Sequence, residues 1–229
     1  MKYRTKAFWG SCFLLPLLIG CSSTAQKNKA AIDEAIPGKS SSFKNMKSYP
    51  GNVTCGQYLG MGESGFPDYR HFVVVDTVAD TRPSKLDIAV FCSDDPKAAL
   101  NDAFKIDFDA QQPSIEKVLN DFERLKGPLL AYEKDNTYFP FTEQGLQGLI
   151  EPKPWDGAMP RNFKEGGYID RLPVDPWNRD YIYRCDGLGG IRIHYSIKSL
   201  GEDGKFGGEG ANADISTDQA KYFKHILNL

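Results

Sequence analysis

The sequence has few of the residues from which catalytic and metal sites are usually built. Only three histidines occur in its 229 residues, and they are widely separated, at His71, His194 and His225. No HExxH, GxSxG or CxxC motif is present. These absences exclude the common sequence patterns of zinc proteases, serine hydrolases and dithiol oxidoreductases. We therefore predict a protein that is not an enzyme, with no catalytic residues and no small-molecule substrate.

The sequence also has no excess of one charge. It contains 28 basic and 30 acidic residues, which gives a formal net charge of −2. This near balance gives no electrostatic reason to expect binding to nucleic acid, and we predict none. Hydrophobic residues make up 41% of the chain, enough for one core with a small added lobe.

Only the N-terminus has a long apolar run, and that run is too short to cross a bilayer comfortably. Three basic residues within the first six precede the apolar residues 7–19. This order is typical of a secretory signal peptide, to which we assign residues 1–20. The residues Leu-Ile-Gly-Cys that end at Cys21 resemble the lipobox of bacterial lipoproteins. The resemblance implies cleavage before Cys21 and attachment of lipid, palmitate included, to that cysteine. The alternative is an ordinary signal peptide that ends near a cysteine by chance.

A lipid on Cys21 predicts a protein that is held on a membrane of the bacterial envelope and faces the periplasm. Ser22, rather than Asp, follows the cysteine. By resemblance to enteric lipoproteins, this predicts the outer membrane. Residues 21–47 are rich in Ser, Lys, Ala and Asn and contain Pro37-Gly38. Their composition predicts a flexible tether between the lipid and the folded part.

Five cysteines occur, of which Cys12 lies in the signal peptide and Cys21 is the lipid acceptor. Cys55, Cys92 and Cys185 remain, in a compartment that favours disulfide bonds. We favour a bond between Cys55 and Cys92 because both lie in the same half of the chain. Cys185 then remains as a thiol, most simply as a small buried hydrophobic residue.

Residues 48–112 are predicted to be rich in β-structure. The segments His71–Ala79 and Lys85–Ser93 are rich in β-branched residues and partly alternate, with turn residues between them. This pattern predicts a β-hairpin. The sequence assigns no role to this segment.

Helical spacing begins after residue 113. From Ser114 to Lys134, apolar residues recur three and four positions apart, which predicts an amphipathic helix with a kink or break at Gly127-Pro128. A second, short helix is predicted over Thr142–Ile150. Strands are predicted over Tyr181–Tyr183 and Ile191–Ile197. Together these elements indicate an α+β fold.

Four blocks of residues carry a resemblance to a known family. They are 131–140 (AYEKDNTYFP), 142–149 (TEQGLQGL), 167–177 (GYIDRLPVDPW) and 199–215 (SLGEDGKFGGEGANADI). In this order they resemble the periplasmic domain of the major pseudopilin, protein G of type II secretion systems, over about residues 123–218. The resemblance implies a pseudopilin-like domain over residues 113–229, with a helix packed on a small antiparallel sheet. It also implies protein partners in a secretion or pilus-like machine.

The resemblance further implies that the last block binds Ca²⁺ as a cofactor. Position by position, Asp203 and Asp214 would supply carboxylates, Leu200 and Lys205 would supply backbone carbonyls, and Ser216 is a less certain oxygen donor. Glu202 stands where the family commonly has a small residue and could add a carboxylate. Ca²⁺ prefers six to eight oxygen ligands and tolerates irregular geometry, so a loop that mixes carboxylates and carbonyls suits it. The alternative is a solvated acidic loop. A phosphate-binding loop is a poor match, because the residues around the glycine-rich block are acidic and no Gly-Lys-Ser or Gly-Lys-Thr follows the block.

The match fails at the N-terminus. Members of the family carry a long hydrophobic helix there. In this sequence, the predicted signal peptide and the lipid-acceptor cysteine stand in its place. The function expected from the whole sequence is that of a lipid-anchored, calcium-binding structural protein in the periplasm. It would be an accessory or divergent pseudopilin-like component of a type II secretion or related system. The alternative is an envelope lipoprotein that uses the same fold as a binding module unrelated to secretion.

Overall fold

The computed structural model describes residues 24–35, 42–62, 65–186 and 194–229. The predicted signal peptide and the lipid acceptor Cys21 lie outside these residues. The helices are α1 (Thr24–Ala35), α2 (Lys85–Phe91), α3 (Pro96–Phe104), α4 (Phe108–Asn136) and α5 (Ala220–Leu227). The strands are β1 (Phe43–Tyr49), β2 (Val53–Met61), β3 (Pro67–Val75), β4 (Val78–Asp80), β5 (Ile182–Asp186), β6 (His194–Ser199) and β7 (Ile215–Ser216). Within the described ranges, no helix has both the length and the apolar character that a membrane span requires.

The first four strands form an antiparallel sheet in the order β1-β2-β3-β4, with helices on both faces. On the outer face, Ile32 of α1 is fully buried in a cluster with Phe72 and Val74 of β3. On the inner face, Val53 and Val73 join the main core. We call residues 24–35 and 42–104 the N-terminal lobe. The predicted flexible tether was wrong over residues 24–35 and 43–47, because Ala31 and Ile32 pack α1 on the sheet and β1 pairs with β2.

The second strand of the predicted hairpin was also wrong, because residues 85–91 form the helix α2. The Ser84 Oγ accepts a hydrogen bond from the Asp87 amide at 3.0 Å, and Asp87 Oδ2 accepts one from the Ser84 amide at 2.8 Å. This capping box starts a helix in spite of the β-branched residues that follow. The predicted first strand, His71–Ala79, is interrupted by a two-residue turn at Asp76, where φ is +54°, and it covers the end of β3 and the start of β4. The strand β3 pairs with β2 on one side and with the short strand β4 on the other.

The long helix α4 is continuous and does not break at Gly127-Pro128. Leu125, Leu129 and Tyr132 are fully buried on one face. Their packing holds the helix together across the missing proline hydrogen bond, because tertiary contacts outweigh local propensity. The helix also starts earlier than predicted, at Phe108, where the side chain of Asp107 caps it by accepting from the Ala110 amide at 3.2 Å.

The predicted elements that follow α4 differ from those in the structure in their bounds or in the type of helix. The segment 142–150 forms turns and a single 3-10 turn at Leu146–Leu149. Gly145 has φ +61°, which interrupts the predicted α-helix. The predicted strands are found as β5 and β6, although residues 191–193 of the second prediction lie outside the described ranges.

The second sheet packs against α4 and confirms the α+β class. Its three antiparallel strands have the order β5-β6-β7. Ile197 of β6 and Ile215 of β7 are buried in the main core with the apolar face of α4. Tyr181, just before β5, contacts Phe122 with ring centroids 5.7 Å apart and donates a hydrogen bond to Asp121 Oδ2 at 2.8 Å. This sheet carries the glycine-rich segment between β6 and β7.

The C-terminal helix α5 joins the two halves of the molecule. Phe223 is fully buried, with ring centroids 5.6 Å from Phe104 of α3 and 6.5 Å from Phe108 of α4. The ring of Tyr222 packs at a tilt against the ring of Phe91 in α2, with centroids 5.3 Å apart. The main core therefore runs without interruption from the N-terminal lobe through α5 to the second sheet.

A disulfide bond connects Cys55 of β2 to Cys92, which caps the C-terminal end of α2. The two Cα atoms are 5.9 Å apart, an ordinary separation for this bond. It is the pair that the sequence analysis favours. Cys185 is buried in β5. The bond fixes α2 to the inner face of the first sheet and so supports the surface on which α5 packs.

Asp87 is expected to make the stability of this interface depend on pH. Burial alone would raise the pKa of its carboxyl, but hydrogen bonds from Lys221, Ser84 and Tyr222 outweigh burial and lower the pKa from 3.8 to about 2. A carboxyl with a lowered folded-state pKa stabilises the protein above its unfolded-state pKa and loses that effect as the pH falls through the folded-state value. Between pH 5 and pH 2, we expect this residue to contribute a loss of about 2 kcal/mol in the free energy of unfolding.

Urea unfolding at both pH values would measure this contribution. Asp87→Asn should have a shallower pH dependence than the wild type, whereas Asp68→Asn, which alters an exposed carboxylate of the same lobe, should keep the wild-type slope. Equal slopes for the wild type and Asp87→Asn would show that the interaction contributes nothing.

Candidate metal site in the glycine-rich loop

The segment between β6 and β7, residues 200–214, is a loop whose two ends are held together. The strands that flank it pair at Lys198 with Ser216 and at Ser199 with Ile215. Inside the loop, the Glu202 amide donates to the Ala211 carbonyl at 2.8 Å. The first and last parts of the loop are therefore neighbours in space.

Glycine is required where these two parts cross. Gly201 has φ +65°, and a Cβ there would lie 2.5 Å from the carbonyl carbon and oxygen of Asn212. Gly208 has φ +90°, and a Cβ there would lie 2.4 Å from the Asn212 oxygen. Any side chain at these positions would collide with the returning backbone and push the two parts of the loop apart.

Asp214, at the end of the loop, has one oxygen in use and one without a partner. Its Oδ2 accepts from Lys198 Nζ at 3.0 Å and from the Gly207 amide at 3.1 Å. Its Oδ1 is buried and has no hydrogen-bond partner in the described part of the chain. A buried carboxylate oxygen without a donor is costly, so this atom marks a place where a cation would be favourable.

The other predicted acidic ligands lie on the outer part of the loop. Glu202 and Asp203 are exposed, and Asp203 Oδ1 accepts from the Lys205 amide at 3.0 Å. Over the described ranges, no three His, Cys, Asp or Glu side chains are gathered closely enough to form a metal cluster. A site with two carboxylates would therefore depend on carbonyl and hydroxyl oxygens for its remaining ligands.

Three non-acidic candidates complete the predicted set. Leu200 directly follows β6, and Lys205 lies on the exposed outer part of the loop. Ser216 is buried in β7, where its hydroxyl lies 3.2 Å from the Gln219 Oε1. The Ser216 hydroxyl and the Leu200 carbonyl therefore lie at the ends of the strands, whereas the Lys205 carbonyl lies on the outer part of the loop.

Arg179 supports the start of the loop, a role that the sequence analysis missed. Its Nη1 donates to the Glu202 carbonyl at 2.9 Å, and its Nη2 donates to the Gly201 carbonyl. A Cβ at Gly204 would lie 2.6 Å from Nη1, so the loop closes tightly over the guanidinium. The signal available in the sequence was its position just after the block 167–177, which carries the family resemblance.

The Asp175 carboxylate fixes the backbone turn that carries Arg179. This carboxylate is only 2% exposed, and its Oδ1 accepts from the amides of Trp177 at 3.0 Å and Arg179 at 2.9 Å. Its Oδ2 accepts from the Ser199 hydroxyl at 2.8 Å. Asn178 completes the turn with φ +62°, a conformation that Asn tolerates better than most residues. Trp177, next to this turn, is half-buried.

Comparison with known proteins identifies the family of this half of the chain. Residues 105–218 match the family model described as type II secretion system (T2SS), protein G. Over 100 residues, the chain is 45% identical to the type II secretion system core protein G of Vibrio cholerae, which covers 44% of this chain and 65% of that protein. Over 104 residues, it is 38% identical to the protein of the same name from Pseudomonas aeruginosa, which covers 45% of this chain and 70% of that protein. The chain belongs to the type II secretion system protein G family.

A solved structure of the same kind also matches. The major pseudopilin from the type 2 secretion system of enterohaemorrhagic Escherichia coli is 35% identical, with a TM-score of 0.40, over 48% of this chain and 90% of that one. In the comparison with the Vibrio cholerae protein G, by contrast, the chain spans only 65% of the relative's length, just under two thirds. The family match begins at residue 105, after the N-terminal lobe, and ends at residue 218, before α5.

Proposed function

We propose that this protein is a structural, calcium-binding component of a type II secretion system or a related pilus-like system. The observation that carries this proposal is the match of residues 105–218, which include the whole glycine-rich loop, to protein G. The relatives are named as core components of a secretion system, so we infer that this chain also works through contacts with other proteins of such a system. We propose no catalytic role.

The proposed calcium ion lies at the loop, with Asp214 as its central ligand. Support comes from the buried Asp214 Oδ1, which has no donor among the described residues. Asp203 would add a second carboxylate, with Glu202 as a further candidate. Carbonyl oxygens of Leu200 and Lys205 and the Ser216 hydroxyl would supply neutral ligands. Lys198 would have to give up Asp214 Oδ2, because a cation bound there would repel its ammonium group.

We propose that a lipid on Cys21 holds the protein on the periplasmic side of an envelope membrane, most consistently the outer membrane. Only Ser22 and Ser23 separate Cys21 from Thr24, where α1 begins. Even when fully extended, this connection spans at most about 11 Å. Because α1 packs on the first sheet, the N-terminal lobe would lie next to the bilayer rather than at the end of a long tether.

Cys21→Ser is expected to release the protein from the membrane fraction. A serine hydroxyl in place of the thiol removes the acyl acceptor, and with it the acyl chains that bind the bilayer. Fractionation of cells, followed by phase separation in Triton X-114, would measure the change. Cys185→Ser makes the same substitution at a buried position and should leave the protein with the membranes. A wild-type protein that partitions into the aqueous phase would contradict the lipid anchor.

A secretion assay tests the proposed function. Cells that lack the protein should export less type II substrate, and the wild-type chain should restore export. Protein purified from detergent-solubilised envelopes should also bring components of the secretion system with it. The alternative, an envelope binding module unrelated to secretion, predicts normal export and no such components, and this result would overturn the proposal.

A further inference from the structure

The inner face of the first sheet is left uncovered near β4. There a cleft of about 640 Å³ lies between β3, β4, α2 and α5. Val75 pairs with Val78, and Val73 pairs with Asp80, so these side chains share the face that lines the cleft. Val78 is 75% exposed. The cleft has the size of a binding site for a small molecule or for a few side chains of a peptide.

The two lysines that line the cleft are already neutralised. Lys221 forms an ion pair with Asp87, and Lys224 forms one with Glu123. The first pair joins α5 to α2 and the second joins it to α4, and of the four side chains only Asp87 is buried. The lysines therefore contribute aliphatic stems to the cleft wall rather than free positive charge.

Two carboxylates of the cleft have no cationic partner. Among the described residues, neither Asp76 nor Asp80 takes part in an ion pair. Asp76 Oδ1 accepts from the Asn52 side chain at 3.2 Å, and Asp80 Oδ1 accepts from the Arg82 amide at 2.8 Å. Both donors are neutral groups. The rim beside Val78 therefore carries net negative charge.

The inner wall of the cleft adds a buried polar group that carries no charge. His225 is 6% exposed, and its ring meets Phe91 edge-on with centroids 5.0 Å apart. Burial lowers the pKa of His225, which keeps it neutral at pH 7. Its Nε2 is buried and lacks a hydrogen-bond partner within the described part of the chain. The wall is thus apolar, with one unsatisfied polar atom.

The strand that borders the cleft is an edge strand. Within the described ranges, β4 pairs only with β3. Edge strands present backbone groups that an extended peptide can pair with, and neighbouring pockets then select its side chains. The valines would accept an aliphatic side chain, and Asp76 and Asp80 would attract a cation next to it.

From these observations, we propose that the cleft binds an extended peptide segment of a partner protein in which an aliphatic residue and a Lys or Arg stand two positions apart, so that both side chains lie on the face that meets the cleft. The partner would pack its aliphatic side chain on Val75 and Val78. Its cation would reach Asp76 and Asp80. This site lies outside the part of the chain that matches protein G, and it requires neither calcium nor lipid.

Fluorescence anisotropy with two labelled probe peptides tests this inference. One probe repeats Val-Thr-Lys-Thr and the other repeats Val-Thr-Glu-Thr, so that in an extended strand Val and the charged residue lie on the same face. The full-length protein in detergent should bind the lysine peptide at least about tenfold more tightly, and this binding should weaken with added salt. Asp76→Asn combined with Asp80→Asn should weaken the lysine peptide about fivefold, because each exposed ion pair contributes modestly. Asn suits the positive φ at position 76 and keeps both side-chain shapes.

Asp68→Asn is the matched control, since it removes an exposed carboxylate of β3 that does not line the cleft. It should bind the lysine peptide like the wild type. The inference is overturned if the lysine peptide does not bind at millimolar concentration, if both peptides bind equally, or if the double variant binds as tightly as the wild type. Thermal unfolding of each variant confirms that the fold is intact.

Discussion

Phe223→Ala is expected to lower the free energy of unfolding by about 4 kcal/mol. Phe223 is fully buried between Phe104 of the N-terminal lobe and Phe108 at the start of α4. Removing its ring leaves a cavity at the junction of the two halves. Because a single core extends across that junction, we expect the halves to unfold together in the wild type and to lose part of their coupling in the variant.

Urea unfolding followed by both circular dichroism and tryptophan fluorescence would measure this effect. Phe66→Ala serves as the control, because Phe66 is 73% exposed and its replacement should change the free energy by no more than about 0.5 kcal/mol. The two spectroscopic transitions should coincide for the wild type. If Phe223→Ala cost no more than Phe66→Ala, α5 would not be the element that joins the lobe to the family domain.

Adding calcium is expected to raise the melting temperature by about 10 °C when the ion is in thousandfold excess over its dissociation constant. At that excess, a ligand that binds only the folded state contributes about 4 kcal/mol. In a domain of this size, each kcal/mol corresponds to a few degrees. EGTA should reverse the shift and make residues 201–214 more sensitive to protease.

The variant Asp214→Asn should abolish the calcium-dependent shift. Its amide keeps the shape of the side chain but loses the charge that the ion requires. Asp170→Asn, which alters an exposed carboxylate outside the loop, should keep the full shift. A melting temperature of the wild type that is the same in calcium and in EGTA would count against the site.

The sequence predicted those parts of the fold in which many residues follow the same pattern, such as a helical spacing or a family motif. The long helix α4 has buried residues at helical spacing over its whole length, so its face was predicted, whereas its start and the break at Gly127-Pro128 were not predicted correctly. The glycine-rich loop was recognised because a long ordered block carries the family resemblance. The family comparison confirms that resemblance.

The helices of the N-terminal lobe escaped prediction because single residues decide their structure. Residues 85–91 are rich in β-branched and apolar side chains, yet one Ser84–Asp87 capping box makes them a helix. The helix α1 is held by one fully buried residue, Ile32, within a polar stretch. Such long-range packing leaves almost no periodic trace in the sequence.

The same reasoning explains which parts of the candidate site were missed. Asp203 and Asp214 stand out because they align with a motif. Arg179 acts through two carbonyls more than 20 positions away, and its partner Asp175 is visible only once the turn is folded. Tertiary contacts of this kind become evident only in three dimensions.

Isothermal titration of the purified protein with CaCl₂ tests the central claim most directly. We predict one calcium ion per chain for the wild type, with much weaker binding of Mg²⁺, since that smaller ion demands stricter octahedral geometry. The double variant Asp203→Asn/Asp214→Asn should show no binding. A wild-type protein that gives no heat of calcium binding, or a double variant that binds calcium like the wild type, would contradict the account.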